Sequence, residues 1–316
     1  MLDGRILGID IACVSHGASP TKAILYALAA NGGIALCKGA AALYTGSGSM
    51  IAESIHSFAD CGNQILLLLG LKKSRSEGDK EYPLGTGKAI YFWSFLVAIL
   101  LFSLGGLFSL YEGIHKLQAN EELHQPWIAL IVLGVSIILE AFSLFGALRE
   151  IKLIRGNQTL MEWLKNSRNA ELIVVLGEDT AAILGLVVAF VFVTLSVLLK
   201  NPLYDAVGSL SIGVILLLIS IFIAGRVKTL MIGRSAEPAV EDVIRKKIAA
   251  HKGVKQIFHL ITIQLGHDIM LAAKIQMDGK SHLSDAVKGI NALEAELKKE
   301  IPSLRWCFIE PDETDS

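Results

Sequence analysis

Residues 89–111 read AIYFWSFLVAILLFSLGGLFSLY, a run of 23 positions without one charged side chain. A helix rises ~1.5 Å per residue, so about 20 apolar residues cross the ~30 Å hydrocarbon core of a bilayer. The run is long enough to span, and its reading decides the class of the fold. The rest of the 316-residue chain agrees, with 53% hydrophobic and 19% charged residues and a mean hydropathy of +0.54. An average soluble domain carries about a quarter charged residues. Outward from this run, 180–199 and 206–225 are also free of charge. Residues 125–148 are broken only by Glu140, 23–44 only by Lys38, and 51–71 by Glu53, His56 and Asp60. We therefore expect a membrane all-α bundle of six transmembrane helices.

Basic residues orient the spans, since Lys and Arg collect on the cytoplasmic side. The loop after the second span holds Lys72, Lys73, Arg75, Lys80 and Lys88, and the loop after the fourth holds Arg149, Lys152, Arg155, Lys165 and Arg168. The loops on the other side offer only Lys116 and Lys200. Both termini are thus expected in the cytoplasm. Residues 237–316 carry 11 basic and 13 acidic side chains, a soluble composition. Their pattern predicts a helix over 241–251, a strand over 254–265 with Ile257, Ile261, Ile263 and Leu265 on one face, and a turn at 266–268. A second strand follows over 269–277, then a helix capped by Ser284 and closed by Pro302, and a third strand over 304–309. The order αββαβ predicts a cytoplasmic α+β domain, a ferredoxin-like open-faced sandwich. The expected division is a short N-terminal leader over 1–21, a six-helix transmembrane domain over 22–232 and a cytoplasmic C-terminal domain over 233–316. Residues 1–21 contain Asp3 and Asp10 and lack the pattern of a signal peptide.

Several classes are excluded. Four cysteines without a CxxC pair do not make a disulfide scaffold, and a net charge of −1 does not suit a nucleic-acid partner. ESIHSFAD is not HExxH, and no nucleophile–base motif stands in a fitting context, so an enzyme is not expected.

Charges inside the apolar runs carry the chemistry, because an ionisable group near the bilayer centre costs about 2.5–3.5 kcal/mol on insertion scales. His56 and Asp60 are four residues apart and share a helix face, with Asn63 one turn further. An imidazole and a carboxylate so placed form half of a divalent-metal site; alternatively they form a buried hydrogen bond that only packs helices. Glu178 and Asp179 are adjacent in the fifth span, about 100° apart around a helix, so only one faces a given partner squarely. One imidazole and up to three carboxylates suit Zn²⁺, with Mn²⁺, Fe²⁺ or Co²⁺ as other N/O-compatible ions. Lys38 and Glu140 are expected to pair or to snorkel, and Asp205, after Pro202, to cap a helix. The small residues Ala29, Gly33, Cys37 and Ala41 recur every four positions, as a close-packing helix face does.

Four stretches are similar to one known family. They are YTGSGSMIAESIHSFADCGNQILLLLGL (44–71), YPLGTGKAIYFWSF (82–95), LGEDTAAILG (176–185) and NPLYDAVGSLSIG (201–213). With six spans and an αββαβ tail they resemble the cation diffusion facilitators, most of all the zinc transporter nine branch. The resemblance covers residues from about 22 to 311. It implies a homodimer in a lipid bilayer that exchanges Zn²⁺ or a similar ion for protons by alternating access. It implies a four-ligand site in which His56, Asp60 and Asp179 match three positions, while the fourth falls on Val175, which cannot ligate. Glu178 or Asn63 is then the candidate replacement, or the site keeps three ligands and water. Two histidines that the family commonly carries after the second span fall on Tyr82 and Thr86, leaving Asp79 alone. Ligand positions of the cytoplasmic domain fall on Phe258, Lys274 and Phe308, while His251, His259, His267 and His282 are off-register. A metal-poor domain that dimerises by packing is expected. The expected function is export of a divalent cation from the cytoplasm by proton antiport; the alternative is a metal-binding membrane scaffold or regulator with weak or no transport. The expected location is a bacterial inner membrane, with a mitochondrial inner membrane as the alternative.

Overall fold

A computed structural model describes residues 20–74, 78–119, 126–278 and 282–314. Almost all of the expected leader lies outside the described residues. α1 (Pro20–Thr45) and α2 (Gly48–Ser74) pack as a hairpin. α3 (Ala89–Leu100) runs through a π-helical segment, Leu101–Leu107, into α4 (Phe108–Ala119). α5 (Pro126–Arg155), the short α6 (Leu160–Asn166), α7 (Ala170–Leu199) and α8 (Leu203–Gly233) complete the bundle. Among the described residues, four runs are long and apolar enough to cross a membrane: Ala89–Gln118, Pro126–Arg155, Ala170–Leu199 and the run that begins at Leu203. The inner faces are lined by Ala and by Leu, Ile and Val, with Ala98, Leu133, Ala181, Leu186 and Leu216 fully buried or nearly so. The outer faces leave Ile131, Phe142, Phe145 and Leu218 open. A soluble protein does not expose such a contiguous apolar surface; a bilayer covers it. The protein is a membrane protein.

Beyond the bundle lie α9 (Pro238–Ala250), β1 (Val254–Leu265), β2 (Asp268–Met277), α10 (Leu283–Glu300) and β3 (Leu304–Asp312). The sheet is mixed, ordered β1-β2-β3, with β1 and β2 antiparallel and β2 and β3 parallel across the α10 connection. Its core joins Ile244, Ile248, Leu271, Ile275, Leu293 and Leu297. β2 alternates as expected. β1 does not, because Phe258 is an extra residue: Ile257 pairs with Ile275 and His259 with Lys274. Such a bulge flips the parity of everything after it. Leu260, Thr262 and Gln264 therefore face the core residues Ala273, Leu271 and Ile269, and Ile261, expected inside, is 58% exposed. The N-cap of α10 is His282 and not Ser284.

Candidate metal site

α2 begins where a second helix tells it to. Asp205 in the first turn of α8 accepts from the Ser47 hydroxyl (2.8 Å), the Gly48 N–H (2.7 Å) and the Ser49 N–H (3.3 Å). These are the orphan donors of the α2 N-terminus. Asp205 is thus a cap, as expected, but for α2. From that start, the 3-4-3 spacing of Glu53, His56, Asp60 and Asn63 sets four polar side chains on the inner face of α2, all of them buried. His56 Nδ1 lies 3.7 Å from Asp60 Oδ1, within ion-pair reach but too long for a hydrogen bond. Both imidazole nitrogens, one oxygen each of Glu53 and Asp60, and the Asn63 oxygen have no hydrogen-bond partner among the described residues. Buried polar atoms are ordinarily satisfied. An unpaired row of this length marks the α2 face as one built to meet something else. His56 Nδ1 faces the π-helical segment at Gly105, and such segments recur at functional positions.

α7 supplies the opposing carboxylates. Glu178 is buried and turned towards α2, where it accepts from Asn63 Nδ2 at 2.5 Å. Asp179 turns towards α5 and accepts from the Ser143 hydroxyl at 3.3 Å. The 100° separation has sent the two neighbours to different helices. Glu140 of α5 is buried within electrostatic reach of Asp60, Glu178 and Asp179. Val175 packs against the apolar core of the bundle. The structure thus joins His56 to Asp60, and α2 to Glu178. Among the described residues, no three His, Cys, Asp or Glu side chains converge closely enough to hold an ion as they stand.

Lys38 neither snorkels nor pairs with Glu140. It is fully buried, with its ammonium 2.8 Å from Ser57 Oγ and 3.4 Å from Glu53 Oε2. The sequence signalled only that Lys38 needed a partner. The other expected depletions have structural explanations. Asp79 folds its own loop, accepting from the N–H groups of Glu81 and Tyr82. Lys274 pairs with Asp312 at 2.6 Å, and the hydrogen bond from its ammonium holds that carboxyl below the usual carboxylate range. Phe308 is 55% exposed, His259 and His282 are exposed, and His267 lies 3.5 Å from Glu171. Burial pushes the Cys307 thiol up to about 12, which makes it a core side chain and a poor thiolate donor.

Residues 24–226 match the cation efflux transmembrane domain, and residues 236–313 match the cytoplasmic domain of cation efflux proteins. The chain is 32% identical over 266 residues to the mouse (Mus musculus) "Proton-coupled zinc antiporter SLC30A9, mitochondrial", covering 83% of this chain and 47% of that one. It is 30% identical over 190 residues to "Metal tolerance protein C4" of Arabidopsis thaliana, covering 60% and 42%. It is 22% identical over 303 residues to "Magnetosome protein MamB" of Paramagnetospirillum magneticum, covering 92% and 94%. The chain spans about half the length of the first two of these relatives. The transmembrane match alone covers more than half of the chain, and the soluble match continues it almost to the C-terminus. The chain belongs to the cation efflux family.

Proposed function

We propose that the protein exports a divalent metal cation, Zn²⁺ by preference and Mn²⁺, Fe²⁺ or Co²⁺ by the same donor chemistry, in exchange for protons. The observation that carries this reading is the unpaired buried row of Glu53, His56, Asp60 and Asn63 on α2, set against Glu178 on α7. His56, Asp60, Glu178 and Asp179 are the proposed ligands. Each must be deprotonated to bind metal, so metal and protons compete for one site. Because Glu178 and Asp179 face different neighbours, a change in how α7 packs against α2 and α5 gathers the carboxylates around the ion or releases them. Alternating access needs such a change. The relatives named as proton-coupled zinc antiporters support the same chemistry. The family is one of transporters, and no catalytic step is assigned.

The proposed organisation is a leader over 1–21, six spans within 22–232 (α1, α2, α3 continuing into α4, α5, α7 and α8) and a ferredoxin-like sandwich over 233–316. The basic loops put both termini and the sandwich in the cytoplasm, so flux runs outward from it. Two copies pair through the uncovered sheet face, where Ile261 and Phe308 are more than half exposed, and the match to a domain family known for dimers supports this. A bacterial inner membrane or a mitochondrial inner membrane is the proposed location.

Val175, packed in the core where the family resemblance asks for a ligand, favours a second reading, a metal-binding scaffold without transport. Reconstitution in vesicles separates the two. With an internal zinc-sensitive dye and an imposed pH gradient, wild type is expected to move zinc, and Asp60→Ala and Asp179→Ala to lose at least tenfold of that flux. Stoichiometric zinc binding by wild type without flux of Zn²⁺, Mn²⁺ or Fe²⁺ overturns transport in favour of the scaffold.

A further inference from the structure

The pair of Lys38 and Glu53 borders the proposed metal site without belonging to it. Both side chains are fully buried. One oxygen of Glu53, Oε2, faces the ammonium, which also donates to Ser57. The other, Oε1, has no hydrogen-bond partner among the described residues and points at Gly185 of α7, where a β-carbon would collide with it. Glu53 precedes His56 by three residues, which puts the two on neighbouring turns of one face. Glu53 Oε1 towards α7 and the His56 imidazole towards the π-helical segment thus stand on neighbouring turns of α2, both without a hydrogen-bond partner among the described residues. Packing does not explain why an ion pair stands there. Replacing such a pair by neutral groups of similar volume is often harmless or stabilising. An ammonium cradled by a carboxylate and a hydroxyl is also the arrangement a bound cation would adopt at the same place.

We propose that Glu53 is a further cation-binding position on the transport path, one turn beyond His56 on the side away from the cytoplasm, and that Lys38 is a tethered cation that competes with the transported ion for its carboxylate. The inference rests on the transport reading given above. An ion leaving His56 and Asp60 meets Oε1 of Glu53; the ammonium shifts its weight to Ser57 while the ion is held, and returns as the ion departs. The competition keeps Glu53 from retaining the ion, so unloading stays fast. No bond is made or broken beyond these contacts, and the charge of the pair is conserved.

The test compares wild type, the double variant Lys38→Met with Glu53→Gln, the single variant Glu53→Asp, and Asp60→Ala. Each is measured by zinc flux in vesicles and by calorimetric zinc binding to the purified protein. The double variant keeps the volume and removes both charges, so a pair that only holds α1 to α2 is dispensable in it. Glu53→Asp keeps the charge and draws the carboxylate back by one methylene, and decides the matter if the double variant does not fold. In either variant the Kd for zinc is expected to stay within threefold of wild type, because His56 and Asp60 are intact, while flux falls at least tenfold. Flux within twofold of wild type in the folded variant overturns the proposal. Asp60→Ala separates the two failures. If it leaves flux unchanged, the transport reading falls and this inference with it; if it abolishes flux while the pair variants transport normally, only the Glu53 position falls.

Discussion

Asp205 serves a helix 157 residues away in the chain. Its carboxylate takes two backbone N–H groups and one hydroxyl at the start of α2 while it sits in the first turn of α8, where a negative charge is also favoured by the helix dipole. Asp205→Ala leaves those donors buried and unpaired. An unsatisfied buried donor costs about 1–3 kcal/mol. The expected result is a Tm lowered by several degrees in detergent, with zinc affinity unchanged because His56 and Asp60 lie beyond the first turns of α2. An unaltered Tm contradicts the capping role. Residues of this kind also mark where reading the sequence stops. His56, Asp60 and Asn63 are legible because their spacing repeats the helix period, whereas Glu53 reads in the sequence only as a charge inside the span. The choice of Glu53 over Glu140 as the partner of Lys38, and of α2 over α8 as the helix that Asp205 caps, depends on how helices rotate against one another, which no local spacing encodes.

At the scale of elements, strands and helices were placed within a few residues wherever the period was unbroken, and went wrong where a single residue broke it. α9, β2 and α10 follow their apolar stripes. β1 carries Phe258 as an insertion relative to β2, and the bulge exchanges the two faces beyond it. Nothing in VKQIFHLITIQL distinguishes an extra Phe from a paired one; only the partner strand does. Neighbouring substitutions check the exchange. Leu260 faces Ala273 and packs against the sandwich core, so Leu260→Ala should cost about 2 kcal/mol in denaturant unfolding. Ile261 lies on the uncovered face. Ile261→Asp should leave the unfolding midpoint of the monomer within ~0.5 kcal/mol, as surface substitutions do, and weaken pairing of two copies, read as a shift towards monomer in sedimentation. The opposite ranking would restore the unbulged register.

At the scale of the whole molecule, the bundle and the sandwich meet at a polar junction. Tyr91 of α3 donates from its hydroxyl to the Gly266 carbonyl (3.2 Å) and accepts from the Gly266 N–H (3.1 Å). Arg168, just before α7, is buried there and donates to the carbonyls of Ser235 (2.6 Å) and Ala236 (2.9 Å), between α8 and α9. Arg226 and Arg234 donate to the last carbonyls of α6, where cations complement a helix C-terminus. Among the helices tied down in this way are α3, which continues into the π-helical segment beside His56, and α7, which carries Glu178 and Asp179. The weak point is the turn between β1 and β2. Gly266 has φ of +71° and packs against the backbone of Gly87, so a β-carbon there meets both a left-handed conformation and a collision with the Gly87 carbonyl. Neither neighbour can yield, since both contacts are main chain. Gly266→Ala should therefore prise the turn from α3 while leaving the sandwich core intact. Hydrogen exchange is expected to quicken in residues 264–268 and 87–91 and to stay at the wild-type rate in 271–275, where Leu271, Ala273 and Ile275 are buried. If the sandwich is what holds α3 and α7 in register, zinc flux falls along with the lost protection at Tyr91. Faster exchange at the junction with undiminished flux would show instead that the bundle keeps its own register and that the sandwich serves pairing alone.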